Sequence, residues 1–276
     1  MTSVRDRRPA DVGSATGRLP WQLLAPAFLG LLLLVLPLAG LLVRAPWSTL
    51  PERISDPAVG EALRLSLLTA TASMLVCLVL GIPLAWLLAR SVFPGRRALR
   101  ALIIVPLVLP PVVGGVALLT AFGRTGIAGG WLDETFGFRL PFTTLGVIVA
   151  QSFVAMPFLV LAVEGALRSA DARFDDLAAT FGASRWQIFH RVTLPLALPG
   201  VVSGAVLAWA RALGEFGATI TFNGSFPGTT RTMPLAIYAE RNADFDAAIL
   251  LSLVLLVVSV SILALLRERW MTGVVG

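Results

Sequence analysis

The stretch SADARFDDLAATFGASRWQIFHRVTLPLALPG, residues 169–200, determines how the rest of the chain is interpreted. Its apolar residues recur at the i, i+3, i+4 and i+7 positions of one helical face: Phe174, Leu177, Ala178 and Phe181. Acidic residues stand at the start of that helix, where the helix dipole favours negative charge: Asp171, Asp175 and Asp176. Gly182 follows and can end the helix in the left-handed conformation. The pattern predicts a short amphipathic helix outside the bilayer core.

A second short helix is predicted directly after Gly182. Ser184 and Gln187 have the spacing of a capping box, which marks a helix start. We expect Pro195 to end this helix, because the residue before a proline disfavours helical backbone. One interpretation of the two helices is an amphipathic pair that rests on lipid headgroups.

The segments on either side are predicted to cross a membrane. Of the 276 residues, 57% are hydrophobic and 14% are charged, whereas soluble domains contain about 25% charged residues. A bilayer core needs about 20 apolar residues per helix. Segments of that length are 23–43, 63–89, 101–122, 145–166, 196–222 and 247–266. We expect an all-α integral membrane protein with six transmembrane helices, in which 23–266 form one polytopic domain between tails 1–22 and 267–276.

The distribution of arginine predicts the orientation of these spans. Arginines concentrate in the segments that are inside if the N-terminus is inside: 1–22, 90–100, 168–195 and 267–276. Short cytoplasmic loops carry such an excess of positive charge, so both termini are expected in the cytoplasm. The first apolar run could instead be a cleaved signal peptide, since Val43 and Ala45 resemble the small residues of a cleavage site.

The residue inventory argues against catalysis within this chain. All 22 basic residues are arginine, so the lysine of a phosphate-binding loop is absent. One cysteine, one histidine and one tyrosine leave little material for a metal site or for a nucleophile with its base. A membrane-embedded enzyme would have to use Glu164, His190 and Asp171, which lack ligand spacing. The net charge of +6 comes from scattered arginines, so no nucleic-acid partner is expected.

The loop also resembles a known family pattern. Asp176-Leu177-Ala178, three residues, Gly182, nine residues, Val192, one residue and Leu194-Pro195 are similar to the E-A-A, three, G, nine, I-x-L-P signature of permease subunits of binding-protein-dependent ABC importers. Aspartate replaces glutamate, leucine the first alanine, and valine the isoleucine. The resemblance implies a type I importer permease fold in which 168–195 is a cytoplasmic coupling loop that docks on an ATPase subunit. The coupling residues that it implies are Asp176, Ala178, Gly182, Val192, Leu194 and Pro195.

Segments 93–115 and 210–238 resemble the molybdate branch of these permeases, which is close to the sulfate branch. This resemblance implies import of molybdate, or tungstate, across a bacterial cytoplasmic membrane by alternating access. It also implies partners: a second copy of the chain, two ATPase subunits that bind ATP and Mg, and a periplasmic or lipid-anchored binding protein. The alternatives are a sulfate or thiosulfate permease and, from other classes, a membrane-embedded enzyme or a scaffold.

Candidate residues for a translocation path lie in and beyond the fifth predicted span. Arg211 and Glu215 are four residues apart on one predicted helical face, where they form either a packing ion pair or a charged wall of a path. The polar residues that follow form either a cluster of hydrogen-bond donors suited to an oxyanion or an ordinary polar outer loop: Thr219, Thr221, Asn223, Ser225, Thr229, Thr230 and Arg231. The third span contains VPLVLPPVVGG, residues 105–115, which predicts either packing kinks or a bend around a passage. Gly200 and Gly204 have the spacing of a close helix contact.

Overall fold

The computed structural model describes residues 21–171 and 173–271, and in this part of the chain all regular structure is helical. The α-helices are α1 Trp21–Arg44, α2 Leu50–Ile54, α3 Pro57–Arg90, α4 Arg96–Val108, α5 Pro111–Phe122, α6 Gly129–Phe136, α7 Thr144–Ser169, α8 Arg173–Thr180, α9 Arg185–Ile188, α10 Leu194–Leu213, α11 Gly217–Asn223, α12 Met233–Ala243 and α13 Phe245–Met271. The predicted all-α fold is confirmed. The outer parts of the predicted tails, 1–20 and 272–276, lie outside the described residues.

The long apolar helices match the expected membrane spans in number. Four of them, α1, α3, α7 and α13, are long and apolar enough to cross a membrane, and the continuous helix Arg185–Leu213 is a fifth. Helices α4 and α5 together would form a sixth span. The chain divides after Ala45 into a unit that contains α1 and a compact unit that contains α2 to α13.

The third predicted span, 101–122, is broken in the middle. Helices α4 and α5 are bent by 118° relative to each other. Leu109 and Pro110 between them have extended backbone, with ψ of 134° and 136°. The cause is the Pro110-Pro111 pair, because each proline lacks an amide hydrogen and disfavours helical backbone in the residue before it. The structure therefore contains a bend of the span, and that the bend surrounds a passage stays a prediction.

The fifth predicted span, 196–222, is also interrupted, by the connection 214–216 between α10 and α11. Phe216 there has φ −123° and ψ −55°, outside the helical range. The expectation that Arg211 and Glu215 share one helix is therefore wrong. Arg211 lies in the last turn of α10, and Glu215 lies in the connection.

Helices α3, α7 and α10 form the core of the compact unit. Leu88 on α3, Leu159 on α7 and Trp209 on α10 are buried in it. The Trp209 indole N–H donates a hydrogen bond to Thr71 Oγ1 over 3.2 Å, which satisfies the polar group of that ring inside the bundle.

Small residues allow α10 to approach α7 closely. A Cβ at Gly200 would overlap the Cβ of Ala166, and one at Gly204 would lie 3.1 Å from the Cβ of Ala162. The close contact predicted from the Gly200 and Gly204 spacing is therefore confirmed.

Candidate functional site

The first of the two helices predicted outside the bilayer is α8, and its ends follow local sequence rules. The Asp171 carboxylate accepts a 3.0 Å hydrogen bond from the Arg173 amide at the start of the helix. Gly182 has φ +81°, and its amide donates to the Ala179 carbonyl over 3.0 Å. The predicted helix and its left-handed glycine end are confirmed.

The second helix begins as predicted but does not end at Pro195. Ser184 Oγ accepts from the Gln187 amide over 3.3 Å, and the Gln187 side chain accepts from the Ser184 amide over 2.8 Å, which completes the capping box. Past α9, the helix widens into a π-helical segment, Phe189–Thr193, and continues as α10. A proline ring collides with the carbonyl of residue i−4 in a regular α-helix. The wider π turn accommodates Pro195, so the expectation that it ends the helix is wrong.

The apolar face of α8 and α9 is exposed. The exposed fractions are 51% for Phe174, 55% for Leu177, 89% for Phe181 and 69% for Trp186. Trp186 contacts the rings of Phe189 and His190 in the following turn. All four side chains are nevertheless at least half exposed, although burying each would contribute about 1.5–3 kcal/mol.

The residues implied by the family signature are distributed along α8, the π-helical segment and the start of α10. Asp176 and Pro195 are exposed, and Ala178 is partly buried. Leu194 is partly buried and packs against the core of α3, α7 and α10.

A polar anchor holds α8 against the helix ends behind it. The buried Thr193 hydroxyl donates a 2.9 Å hydrogen bond to Asp175 Oδ1. Arg90, at the end of α3, lies 3.6 Å from Asp175 Oδ2 and donates to the Ala170 carbonyl over 3.1 Å. The anchor therefore joins α3, the end of α7, α8 and the π-helical segment. The spacing of these residues along the chain gave no signal for it.

The second region of interest lies at the far end of the Arg185–Leu213 helix. Arg211 NH1 lies 2.6 Å from Glu215 Oε2, and the Glu215 side chain is 1% exposed. Glu215 Oε1 also accepts a 2.7 Å hydrogen bond from the Ala218 amide, at the start of α11. The predicted ion pair is present, and its carboxylate bridges α10 and α11 across the break.

The two helix breaks lie against each other. A Cβ at Gly217 would be 2.5 Å from Pro111 Cβ, and one at Gly115 would be 2.5 Å from Thr221 Cβ. Beside this contact is a cavity of about 140 Å³ to which Arg211 contributes the only charged side chain among the described lining residues. The contact between the two breaks was not predicted from the sequence. The feature that could have indicated it is the presence of small residues at Gly115 and Gly217, where the two segments approach closely.

The polar residues of α11 separate onto two faces. Thr219 and Asn223, four residues apart, are fully buried, and the Thr219 hydroxyl and both polar atoms of the Asn223 amide have no hydrogen-bond partner in the described chain. Thr221 lies on the other face, where its hydroxyl donates to the Gly217 carbonyl over 2.9 Å. The structure thus assigns Thr219 and Asn223 to one buried polar face and excludes Thr221 from it.

The polar residues that follow α11 mainly shape the loop 224–232. Arg231 Nε donates to Ser225 Oγ over 3.1 Å, and the Phe226 amide donates to Thr230 Oγ1 over 2.9 Å. The Thr229 carbonyl accepts from Thr144. These groups do not form an open cluster of donors.

The three residues that a membrane enzyme would need each have a structural contact. Glu164 is ion-paired with Arg168 at 2.6 Å, His190 stacks on Trp186, and Asp171 caps α8. Within residues 21–171 and 173–271, no group of three or more histidine, cysteine or acidic side chains could hold a metal ion.

Comparison with known proteins identifies the family. The family described as "binding-protein-dependent transport system inner membrane component" matches residues 81–272. The chain is 52% identical over 241 residues to the molybdenum transport system permease protein ModB of Mycobacterium tuberculosis, covering 87% of this chain and 91% of that protein. Identity to the Escherichia coli ModB is 40% over 221 residues, covering 80% and 96%.

A sulfate transport protein and a solved structure are also similar. The sulfate transport system permease protein CysT of Escherichia coli is 36% identical over 252 residues, covering 89% of this chain and 91% of that protein. A bacterial ABC transporter involved in alginate import matches in structure with a TM-score of 0.75 at 20% identity, covering 91% of this chain and 94% of that chain. This match shows that the chain has the fold of an ABC importer permease. The relatives in its family are permease subunits, which are not catalytic, and the ATPase in this family is a separate subunit. The chain therefore belongs to the family of inner-membrane components of binding-protein-dependent transport systems.

Proposed function

We propose that this chain is the membrane-spanning subunit of an ATP-driven importer that carries molybdate, or tungstate, into the cell by alternating access. Substrate class rests on relatedness: the ModB proteins are 52% and 40% identical to it, and CysT is 36% identical. The sulfate or thiosulfate alternative therefore stays second. The physical mechanism rests on the helices that connect the two regions of interest.

The observation that carries the mechanism is one continuous helix. Arg185–Leu213 spans 29 residues, which is about 43 Å at 1.5 Å per residue. One end belongs to the exposed helix pair, and the last turn at the other end contains Arg211, beside the two helix breaks. A continuous helix couples a displacement at one end to the residues at its other end. Movement of a partner docked at α8 and α9 would therefore reach the breaks directly.

The exposed apolar face of α8 and α9 is the proposed docking surface for the ATPase. Phe181 and Trp186 contribute most of its exposed area. The anchor of Thr193, Asp175 and Arg90 holds α8 so that it moves together with the start of α10. In this proposal Asp176, Ala178 and Gly182 shape the face, and Val192, Leu194 and Pro195 continue it into the helix.

The proposed path for the oxyanion passes the two helix breaks. Irregular backbone within a membrane is tolerated where it lines a cavity or is buried in protein, and transporters use broken helices for their substrate sites. Arg211 supplies positive charge there, and Thr219 and Asn223 supply buried polar groups without partners. A strongly positive path would hold a dianion too tightly for release. The negative charge of Glu215 offsets that of Arg211 and prevents this. Thr221 packs against Gly115 of α5 and lies outside this proposed path.

The assembly is proposed to contain two copies of this chain, two ATPase subunits that bind ATP and Mg, and one external binding protein. The arginine-rich segments 90–100 and 168–195 would face the cytoplasm, with both termini on the same side. The two segments are joined in the structure by the Arg90 contact with Ala170, which supports their placement on one side.

Reconstitution of the chain with its ATPase and binding protein in vesicles tests this function. We expect molybdate and tungstate, loaded on the binding protein, to stimulate ATP hydrolysis and uptake. Binding protein without substrate provides the baseline. Equal stimulation by sulfate would overturn the molybdate proposal and favour the sulfate permease, and failure of the chain to bind any ATPase subunit would exclude both.

A further inference from the structure

A second charged region, which the transport proposal does not use, lies where the end of α3, the start of α4 and the end of α7 meet. An open cavity of about 540 Å³ is lined there by Phe93, Gly95, Arg96, Arg97, Arg100 and Arg168. We refer to this set as the basic basin. Four of its six residues are arginines, although the same surface lies beside apolar helices.

Two of the four arginines are held in place by the protein. The Leu88 carbonyl, at the end of α3, accepts hydrogen bonds from both Arg96 and Arg168. Arg168 also donates two hydrogen bonds to Glu164 Oε1, at 2.9 Å from Nε and 2.6 Å from NH2. These contacts hold the two guanidinium groups in place. Each group has five N–H donors, so some donors stay available to the cavity.

The other two arginines, Arg97 and Arg100, have hydrogen-bond donors that no group in the described part of the chain accepts. Arg100 Nε lies 3.7 Å from Glu164 Oε2, beyond hydrogen-bond distance, and the Arg100 side chain is 50% exposed. The Arg97 side chain is exposed and forms no ion pair or hydrogen bond with the described residues. Glu164, which is 2% exposed, is the single acidic group among these contacts. The local charge is therefore four positive groups against one negative group.

The start of α4 adds to the positive potential. Gly95 is the N-cap, with φ +88°, and provides no side chain to the first-turn amides. The Arg96 amide donates to the Phe93 carbonyl over 3.4 Å. The other first-turn amides have no partner within the helix, and the helix dipole is positive at that end. Amides and guanidinium forks are both good donors for the oxygens of a tetrahedral anion.

We propose that the basic basin binds a tetrahedral oxyanion group, either the phosphate of an anionic lipid headgroup or a free oxyanion. Clustered guanidinium groups repel one another, and a bound dianion or phosphodiester removes that repulsion while it accepts the unused hydrogen bonds. The bound group would connect the ends of α3, α4 and α7 next to the Arg90 contact with Ala170. This site is separate from the path at Arg211.

Binding to the full chain, purified in detergent, tests the basin directly. The probes are phosphatidylglycerol and phosphatidylcholine, followed by native mass spectrometry, and orthophosphate and molybdate, followed by calorimetry. The test variant is Arg97→Gln with Arg100→Gln. Both side chains are exposed, so their replacement should change the stability of the fold little. The control is Arg124→Gln with Arg241→Gln, which removes the same charge elsewhere.

We expect the basin variant to bind at least about tenfold more weakly than the wild type, because two charge-assisted contacts are lost. The control should bind like the wild type. Replacement of Arg97 and Arg100 by lysine, which keeps charge and loses the fork, should give an intermediate affinity. Selective binding of phosphatidylglycerol identifies a headgroup site, and binding of orthophosphate or molybdate identifies a free-anion site. Equal binding by the basin variant and the control, or no binding of any probe by the wild type, overturns the proposal.

Discussion

The Thr193 hydroxyl donates a 2.9 Å hydrogen bond to the Asp175 carboxylate, and this contact joins two segments that are 18 residues apart. It fastens α8 to the π-helical segment that leads into α10. The glycine at Gly182 gives the connection little stiffness. The Thr193 contact, together with Arg90 beside the same carboxylate, therefore holds the helix pair as one body.

Replacement of Thr193 by valine tests this contact, because valine keeps the shape and removes the hydroxyl. We expect a loss of about 1 kcal/mol in stability and a smaller stimulation of ATP hydrolysis by loaded binding protein in the reconstituted complex. Thr180→Val is the control, since Thr180 donates only to the Leu177 carbonyl of its own helix. Equal stimulation in both variants would show that the contact does not contribute to coupling.

Replacement of Phe181 tests docking without disturbing the fold, because the side chain is 89% exposed. Phe181→Ala should leave the thermal unfolding midpoint of the purified chain unchanged and should weaken association with the ATPase subunit. Val92→Ala is the matched control, because Val92 is 96% exposed and lies outside α8 and α9. Co-purification of the ATPase with each variant measures the difference. Normal association of the Phe181 variant would contradict the proposed docking surface.

The pair of partly buried Arg211 and buried Glu215 requires a double replacement. Arg211→Gln alone leaves a buried carboxylate unpaired, which costs about 3–5 kcal/mol and would confuse folding with transport. Arg211→Gln with Glu215→Gln removes both charges and retains the shape. We expect this double variant to fold, as judged by size-exclusion and thermal unfolding, and to lose molybdate uptake. Normal uptake would show that the pair serves packing only.

Close packing of α10 on α7 predicts opposite results for two nearby glycines. A Cβ at Gly200 would overlap Ala166, whereas a Cβ at Gly165 has nothing within 4 Å. Gly200→Ala should therefore destabilise the chain by about 1–3 kcal/mol, and Gly165→Ala should stabilise it by up to about 1 kcal/mol through helix propensity. Thermal unfolding in detergent measures both. A Gly200 variant as stable as wild type would mean that the two helices can separate without cost.

The carboxyl group of Asp244, which lies outside the membrane spans, should make the stability of the chain depend on pH. Its pKa is lowered by the hydrogen bond from the Ala247 amide and by Arg53. A carboxyl group with a lowered folded-state pKa stabilises the fold above its unfolded pKa of about 3.9, and this contribution is lost as the pH falls through the folded value. Asp244→Asn should therefore lower the unfolding temperature at pH 7, and its difference from wild type should shrink below pH 4. A difference that is constant with pH would exclude the charge as its origin.

Local features of this fold were predictable from neighbouring residues. Gly182 ends α8, and Ser184 with Gln187 starts α9, because both effects act within one helical turn. The number of spans follows from apolar length alone. Pro110 and Pro111 indicated a disturbance in the third span, but a sequence pattern contains no angle and left the kink and the bend as equal alternatives.

Features that depend on distant segments were not predictable. Gly214 to Phe216 lie between apolar residues, so the helical pattern continued through the break at which Glu215 bridges α10 and α11. The basic basin combines arginines from 96–100 with Arg168, which are about 70 residues apart. The prediction that Pro195 ends a helix was wrong. A proline disfavours a regular α-turn, but the sequence does not show that a wider π turn can take the place of the α-turn.

The π-helical segment Phe189–Thr193 has a geometric consequence for the evolution of this chain. A π turn accommodates about one residue more than an α turn, and each residue advances an α-helix by about 100°. The azimuth of Phe181 and Trp186 around the α10 axis is therefore set by a single surplus residue. Deletion of one residue there would turn the docking face by more than a quarter of a revolution while the composition and hydropathy of the chain stayed almost the same. Homologous permeases that differ by one residue in this segment should engage differently oriented partner surfaces.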